Sequence, residues 1–409
     1  MTYGMMSTDV EQRIDFDALR KYKAQRVQAQ LGKKDIGAVL CLDPDNIRYA
    51  TSTHLAEWAR DKAVRWCVTP REGEPVLFEV GTAADAKRLL CPWLKPNNIR
   101  PSRPWVRGAI DTYIAERNAL AAANDIKSVL EENNVVDMPL GIDTADLYIL
   151  EALKSVGIRV VNGWDVMWDA RAIKCKQELQ IIELSAGLVD GVYGQIVDLI
   201  RPGVLESELV AKIYEWLLRR GCDHITGVNC VSGPRGNPHP HDYSDRMVRP
   251  GDLVYLDIIS HYLGYSTCYY RTFAATFATQ KQRDIYMRAM DWLQASIDVV
   301  RPGITTADIA ATWPTAKQLG FGNEAQALGL AVGHGIGLSN HEKPFISRAF
   351  SMDKPELIES GMHFALETFC GDGDDGARIE SQVIVTDTGH KVITKWPCEQ
   401  LMVCNPRSS

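Results

Sequence analysis

The chain has 409 residues, 45% hydrophobic and 24% charged, with a net charge of −7. That length supports two domains with cores of their own, and without a basic run nothing offers a surface to a phosphate backbone, so nucleic acid is not an expected partner. No stretch approaches the roughly 18–20 apolar residues of a membrane span. The N-terminus, with Asp9, Glu11 and Asp15 close behind Met1, lacks the basic-then-apolar order of a signal peptide, which makes the cytoplasm the expected compartment. Ten cysteines at irregular spacing, with no Cys-x-x-Cys pair, read there as reduced thiols.

In chain order, Asp17–Leu31 reads as an amphipathic helix and Ile36–Leu42 as a buried strand, ended by the turn former Asp43-Pro44-Asp45-Asn46. Trp66–Thr69 and Pro75–Val80, joined by Arg71-Glu72-Gly73-Glu74, form a predicted hairpin. A helix at about Ala115–Glu132, a strand at Leu140–Asp143, a helix at Ala145–Ser155 and a strand at Ile158–Val161 complete an α/β unit. Trp164–Ile173 is the expected crossing, with domains at 1–167 and 168–409. Trp58, Trp66, Trp93 and Trp105 are candidates for an aromatic wall around a cation, although core packing is the commoner use of tryptophan.

The second domain repeats itself. The helical run Glu178–Ile200 stops at Arg201-Pro202-Gly203-Val204 and resumes at Glu206. About a hundred residues later Gln282–Val300 stops at Arg301-Pro302-Gly303-Ile304 and resumes at Thr305. Proline and glycine stop a helix and a capping residue starts the next, so the matched order points to two similar αβ halves that face each other. A site between them draws side chains from both.

The residues with chemistry follow. His239 and His241 stand in a loop, Asn237-Pro238-His239-Pro240-His241. Asp257 interrupts the apolar strand Leu253–Ile259, where a buried carboxylate is costly without a partner or cation. A hairpin returns through Gly264–Phe273 with Tyr265, Cys268 and Arg271. Gly333-His334-Gly335-Ile336-Gly337 precedes His341-Glu342, and the flanking glycines leave room for close backbone approach to a ligand. Glu367 and Glu380 come later, and Arg378 shares a strand with Glu380.

These motifs resemble the creatinase, prolidase and aminopeptidase P family, whose catalytic domain has the pita-bread fold. The likeness covers most of the chain, with a smaller creatinase-like α/β N-terminal domain before an α+β catalytic domain of duplicated halves around a curved antiparallel sheet. In metal-dependent members two Asp, a His in Gly-His-Gly-x-Gly, a Glu in Gly-Met-x-Phe-x-x-Glu and a Glu in Arg-x-Glu hold two divalent ions. The resemblance assigns those places to Asp257, Cys268, His334, Glu367 and Glu380, with His341 and one of His239 or His241 as auxiliary histidines. Arg271, Arg378 and Tyr265 are candidates for substrate binding, and the two arginines also for orienting the carboxylates. The family implies a homodimer.

Cys268 departs from the pattern by standing where the second Asp belongs, at the usual spacing from Asp257. A thiolate suits Zn or Fe better than Mn, and a divalent transition metal (Zn, Fe or Mn) is one expectation, with Glu367 or Glu380 taking the proton of the attacking water and His341 stabilising the oxyanion. The other is a metal-free, creatinase-like route in which the glutamates hold a cationic substrate and His239 or His241 is the general base. The altered set favours a hydrolase of a C–N bond in a small guanidino, cyclic amidine or amide substrate over an ordinary peptidase. A dimethylsulfoniopropionate-type lyase is the alternative suggested by the segment Asp43–Thr51, but those lyases carry Asp-x-Asp where this chain has Asp257-Ile258-Ile259. An Xaa-Pro peptidase and a non-catalytic binding protein complete the alternatives.

Overall fold

The computed structural model describes residues 14–55, 59–106 and 108–406, so Trp58 and the residues before Ile14 lie outside the described residues. The chain divides into two compact units between Arg171 and Ala172. In the first, the elements are α1 (Phe16–Lys33), β1 (Ala38–Cys41), α2 (Pro44–Thr51), β2 (Trp66–Pro70), β3 (Val76–Val80), α3 (Ala83–Leu90), β4 (Ile99–Ser102), α4 (Thr112–Glu132), β5 (Leu140–Ile142), α5 (Leu147–Ser155), β6 (Val160–Asn162) and α6 (Trp164–Ala172). Six strands form one sheet in the order β4-β3-β2-β1-β5-β6. The β1–β2 and β2–β3 pairs are antiparallel and the others parallel.

Small residues on one face of α4, among them Ala115, Ala119, Ala122 and Ala123, join Ile126 in the core of this unit. Trp66 and Trp105 belong to the same core, 5.3 Å apart, with Phe78 stacked on Trp66. Trp93 donates to the Thr51 carbonyl and carries the Arg20 guanidinium over its ring. These three therefore pack rather than wall a ligand.

Two readings change. Asp43-Pro44-Asp45-Asn46 starts α2 instead of turning the chain: the Asp43 carboxylate accepts from the Asp45 and Asn46 N–H groups at 3.0 and 2.9 Å, and Pro44 takes the first helical turn. Turn formers and helix caps share this chemistry. The sequence reading has no helix at α3, an element of eight residues of which only Ala84 is buried.

The second unit contains α7 (Lys176–Ile196), α8 (Glu206–Arg219), β7 (His224–Ser232), β8 (Leu253–Tyr262), β9 (Tyr265–Thr267), β10 (Tyr270–Ala275), α9 (Gln280–Asp298), α10 (Thr306–Ala310), β11 (Ala331–Gly335), β12 (Glu342–Ile346), α11 (Arg348–Ser351), β13 (His363–Asp372), β14 (Asp375–Val385), β15 (His390–Val392) and β16 (Met402–Cys404). One sheet runs β16-β10-β8-β7 with β9 on β8; the other runs β12-β11-β13-β14-β15. Pairing is antiparallel except between β10 and β16.

The duplication is visible in hydrogen bonds. After the first Arg-Pro-Gly, Gly203 N–H donates to the Val248 carbonyl (3.0 Å) and Val248 N–H to that of Val204 (2.9 Å). After the second, Gly303 donates to Ile358 (2.9 Å) and Ile358 to Ile304 (2.8 Å). Gly203 and Gly303 have φ of 95° and 90°, a region that disfavours a side chain. The returning segments then enter β8 and β13, so Asp257 and Glu367 hold corresponding places in the two halves.

Candidate active site and metal centre

Strand register brings the carboxylates together. Glu367 on β13 stands directly opposite Glu380 on β14 and Val332 on β11, and His334 lies two residues beyond Val332. Since opposite and alternate residues share a face, Glu367, Glu380 and His334 all project from one side of that sheet. Asp257 and Cys268 come from the other sheet's hairpin. The Cys268 thiol lies 3.3 Å from Asp257 Oδ1 and 3.7 Å from Glu380 Oε2, and His334 Nε2 lies 3.6 Å from Glu380 Oε1. Ligand atoms of Cys268, His334 and Glu380, all buried, fall within 4.8 Å of one another.

Paired glutamates repel, and Arg378 relieves part of that. Its Nε and Nη2 both donate to Glu367 Oε2, at 2.9 and 2.7 Å, while Nη1 donates to the Gly329 carbonyl. Asn229 on β7 donates to Asp257 Oδ2 (3.0 Å) and to the Tyr270 hydroxyl (2.8 Å). Asn229 escaped the sequence reading because a single amide in a strand carries no periodic signal.

Negative charge still exceeds positive. Burial, then the charge of Glu367, pushes Asp257 up to about 6. Burial and then the carboxylates of Glu367 and Asp257 raise Glu380, and burial and then Asp257 and Glu380 raise the Cys268 thiol. Among the described residues, buried Glu380 Oε1 and His334 Nδ1 have no hydrogen-bond partner. Buried polar atoms ordinarily find partners, and a divalent cation would compensate both the charge and the orphaned oxygen. The donors therefore fit a divalent metal, and a set of thiol, imidazole and carboxylate suits Zn or Fe better than a hard ion.

The cluster opens on a cavity of about 510 Å³, lined among others by Asp257, Cys268, His334, Glu367, His341 and His241. The His341 ring stacks on His334 with centroids 4.2 Å apart. Burial, then the His334 charge, lowers His341 to about 4; burial and Arg378 also lower His241. Of the two loop histidines, His241 lines the cavity and His239 does not. His239 lies behind it, with Nδ1 2.6 Å from the Tyr255 hydroxyl, Nε2 3.2 Å from that of Tyr270 and its ring stacked on Phe369.

Three further expectations are corrected. Arg271 is 1% exposed and bonds backbone carbonyls, those of Trp396 at 3.0 and 2.8 Å, Tyr270 at 2.9 Å and Glu380. It braces β10 against β14 and cannot reach a substrate. Tyr265 is equally buried, its hydroxyl donating to Glu178 Oε1 at 3.0 Å. The glycines around His334 make room for protein: a Cβ at Gly335 would collide with the Lys343 backbone and one at Gly337 with the Glu342 carboxylate.

Comparison with known proteins agrees with this architecture. Residues 180–387 match the model of metallopeptidase family M24. The probable dipeptidase PepE of Mycobacterium tuberculosis is 30% identical over 260 residues, 63% of this chain and 68% of its own length. The dimethylsulfoniopropionate lyase DddP of Roseovarius nubinhibens is 24% identical over 412 residues, 95% of this chain and 88% of its own. The structure of the prolidase from Thermococcus sibiricus superposes with a TM-score of 0.76 at 21% identity, covering 94% of this chain and 99% of that chain, which establishes the pita-bread fold. The chain belongs to metallopeptidase family M24, as a hydrolase of carbon–nitrogen bonds.

Proposed function

We propose that the protein is a metal-dependent hydrolase of a C–N bond in a small polar substrate, a guanidino, cyclic amidine or amide compound, working at a centre in which a thiolate replaces a carboxylate. The observation that carries this reading is the buried set Cys268, His334 and Glu380, with donor atoms within 4.8 Å, of which Cys268 and His334 line a cavity of about 510 Å³. Asp257 and Glu367 complete the residues that would hold the ion. A divalent cation there would supply Lewis acidity and make water nucleophilic near neutral pH.

The remaining roles belong to the chain. His341, with its pKa near 4, is neutral at pH 7 and offers a ring N–H to the negative charge that develops on the substrate. His241, also held neutral and in the same cavity, takes a proton from water and returns it to the leaving nitrogen. Arg378 grips one oxygen of Glu367 and so fixes the direction of the other. A cavity of this size accepts a small molecule.

PepE is named a probable dipeptidase and the Thermococcus protein a prolidase, so dipeptides are the competing substrates. The test is elemental analysis of the purified protein followed by assay of guanidino, cyclic amidine, amide and dipeptide panels. Turnover of a small amide or amidine, lost on chelation and in His334→Ala, is expected. Cleavage of Xaa-Pro or other dipeptides alone would install the peptidase reading, and full activity in metal-free protein would remove the metal. A lyase is the second reading, favoured by the likeness to DddP over 95% of the chain. Release of dimethyl sulfide from dimethylsulfoniopropionate would establish it.

A further inference from the structure

The hairpin that carries Asp257 and Cys268 has a gap in its ladder. Ser260 pairs with Thr267 on β9 and Asp257 with Tyr270 on β10, while Cys268 and Tyr269 belong to neither strand. Buried carbonyls need donors, and here side chains supply them. The Tyr193 hydroxyl donates to the Tyr269 carbonyl at 2.8 Å. Gln382 Nε2 donates to the Cys268 carbonyl at 3.0 Å and to Thr267 Oγ1.

Those two donations orient the amide. Gln382 Oε1 then faces His363 Nε2 at 3.1 Å, and the other nitrogen of that imidazole lies 2.9 Å from the Ile336 carbonyl. Gln382 and His363 are both 0% exposed. Gln382 is two residues past Glu380 on β14, and Ala365 on β13 pairs with both Gln382 and His334. One amide thus ties the unladdered Cys268 segment to the strands that carry Glu380 and His334.

We propose that Gln382, braced by His363, is the positioning residue that holds Cys268 at ligand distance and so gives the centre its thiolate character. The proposal rests on Cys268 acting as a metal ligand in the reading above. Neither residue lines the cavity, and Gln382 meets Cys268 at its backbone carbonyl.

The test is Co²⁺ titration of the full chain. The wild-type protein is expected to develop the near-ultraviolet absorption of a sulfur–cobalt bond. Gln382→Met keeps an unbranched side chain of similar length but removes the amide; the band should weaken and Co²⁺ affinity fall about tenfold or more, with the circular dichroism spectrum retained. Should that variant fail to fold, Gln382→Glu keeps an oxygen toward His363 and sets another against the Cys268 carbonyl, and the same loss is expected. A wild-type band and affinity in the folded variant, with or without a lower melting temperature, overturns the positioning role and leaves the hydrolase reading intact. Absence of the band in wild-type protein removes Cys268 as a ligand, and this proposal with it, while activity assays of the hydrolase reading stand separately.

Discussion

Cys268 sits among three carboxylates and a histidine with its thiol against two of those carboxylates, and its chemistry separates this centre from an all-carboxylate one. Cys268→Asp replaces a soft donor by a hard one. After dialysis against equimolar Zn²⁺ and Mn²⁺, metal analysis should show the variant shifted toward Mn²⁺; an unchanged ratio would count against the thiol as ligand. His239 supplies a pH dependence. Burial first, with Arg378 and His241 adding, lowers it from 6.5 to about 2, so it is neutral in the folded protein and protonates below 6.5 in the unfolded chain. The unfolded state then binds more protons, and stability falls as pH drops from 6.5 toward 2, by up to about 1.4 kcal/mol per pH unit for this one proton. His239→Asn should flatten that part of the curve in urea denaturation below about pH 6.5. His334, Glu367 and Glu380 were legible because glycines, apolar neighbours and a following Arg-x-Glu mark them. That His241 lines the cavity while His239 lies against Tyr255 and Tyr270 was not, since both sit in one loop.

Elements carry their own tests. Asp43→Ala removes the acceptor at the start of α2 and should cost about 1 kcal/mol in denaturation of the first unit. The Lys174–Glu342 pair, 3.1 Å long with both side chains 1% exposed, secures the connection from β11 to β12, where Glu342 also accepts from Ser339 N–H. Lys174→Met takes the ammonium away from a buried carboxylate, and a loss of about 3–5 kcal/mol is expected. Because His341 immediately precedes Glu342, that variant should also lose turnover out of proportion to the fraction unfolded under assay conditions. Helices such as α4 and α9 were legible from apolar spacing and caps. β4, α3 and the gap at Cys268 were not, because short elements and side-chain donors leave little periodic mark.

At the scale of the molecule, a bound cation would compensate a cluster that is otherwise overloaded with negative charge. Metal at about 100 times its Kd should stabilise the protein by about 2.7 kcal/mol, and chelation should lower the melting temperature; equal melting curves would remove the ion from the native state. The homodimer expected from the family predicts a scattering mass of twice the 45.6 kDa chain. No described helix is long and apolar enough to cross a membrane. By itself the sequence carried the two-part organisation, the duplicated halves and the motifs that name the candidate donors, because helix stops, strand alternation and motif spacing are local properties written along the chain. Tertiary structure decided which groups meet: Arg378 with Glu367, Asn229 with Asp257, Gln382 with Cys268, and the withdrawal of Arg271, Tyr265 and His239 from the cavity. Those outcomes depend on strand register and on which buried carbonyls still need a donor, and both are set only when distant segments pack against one another.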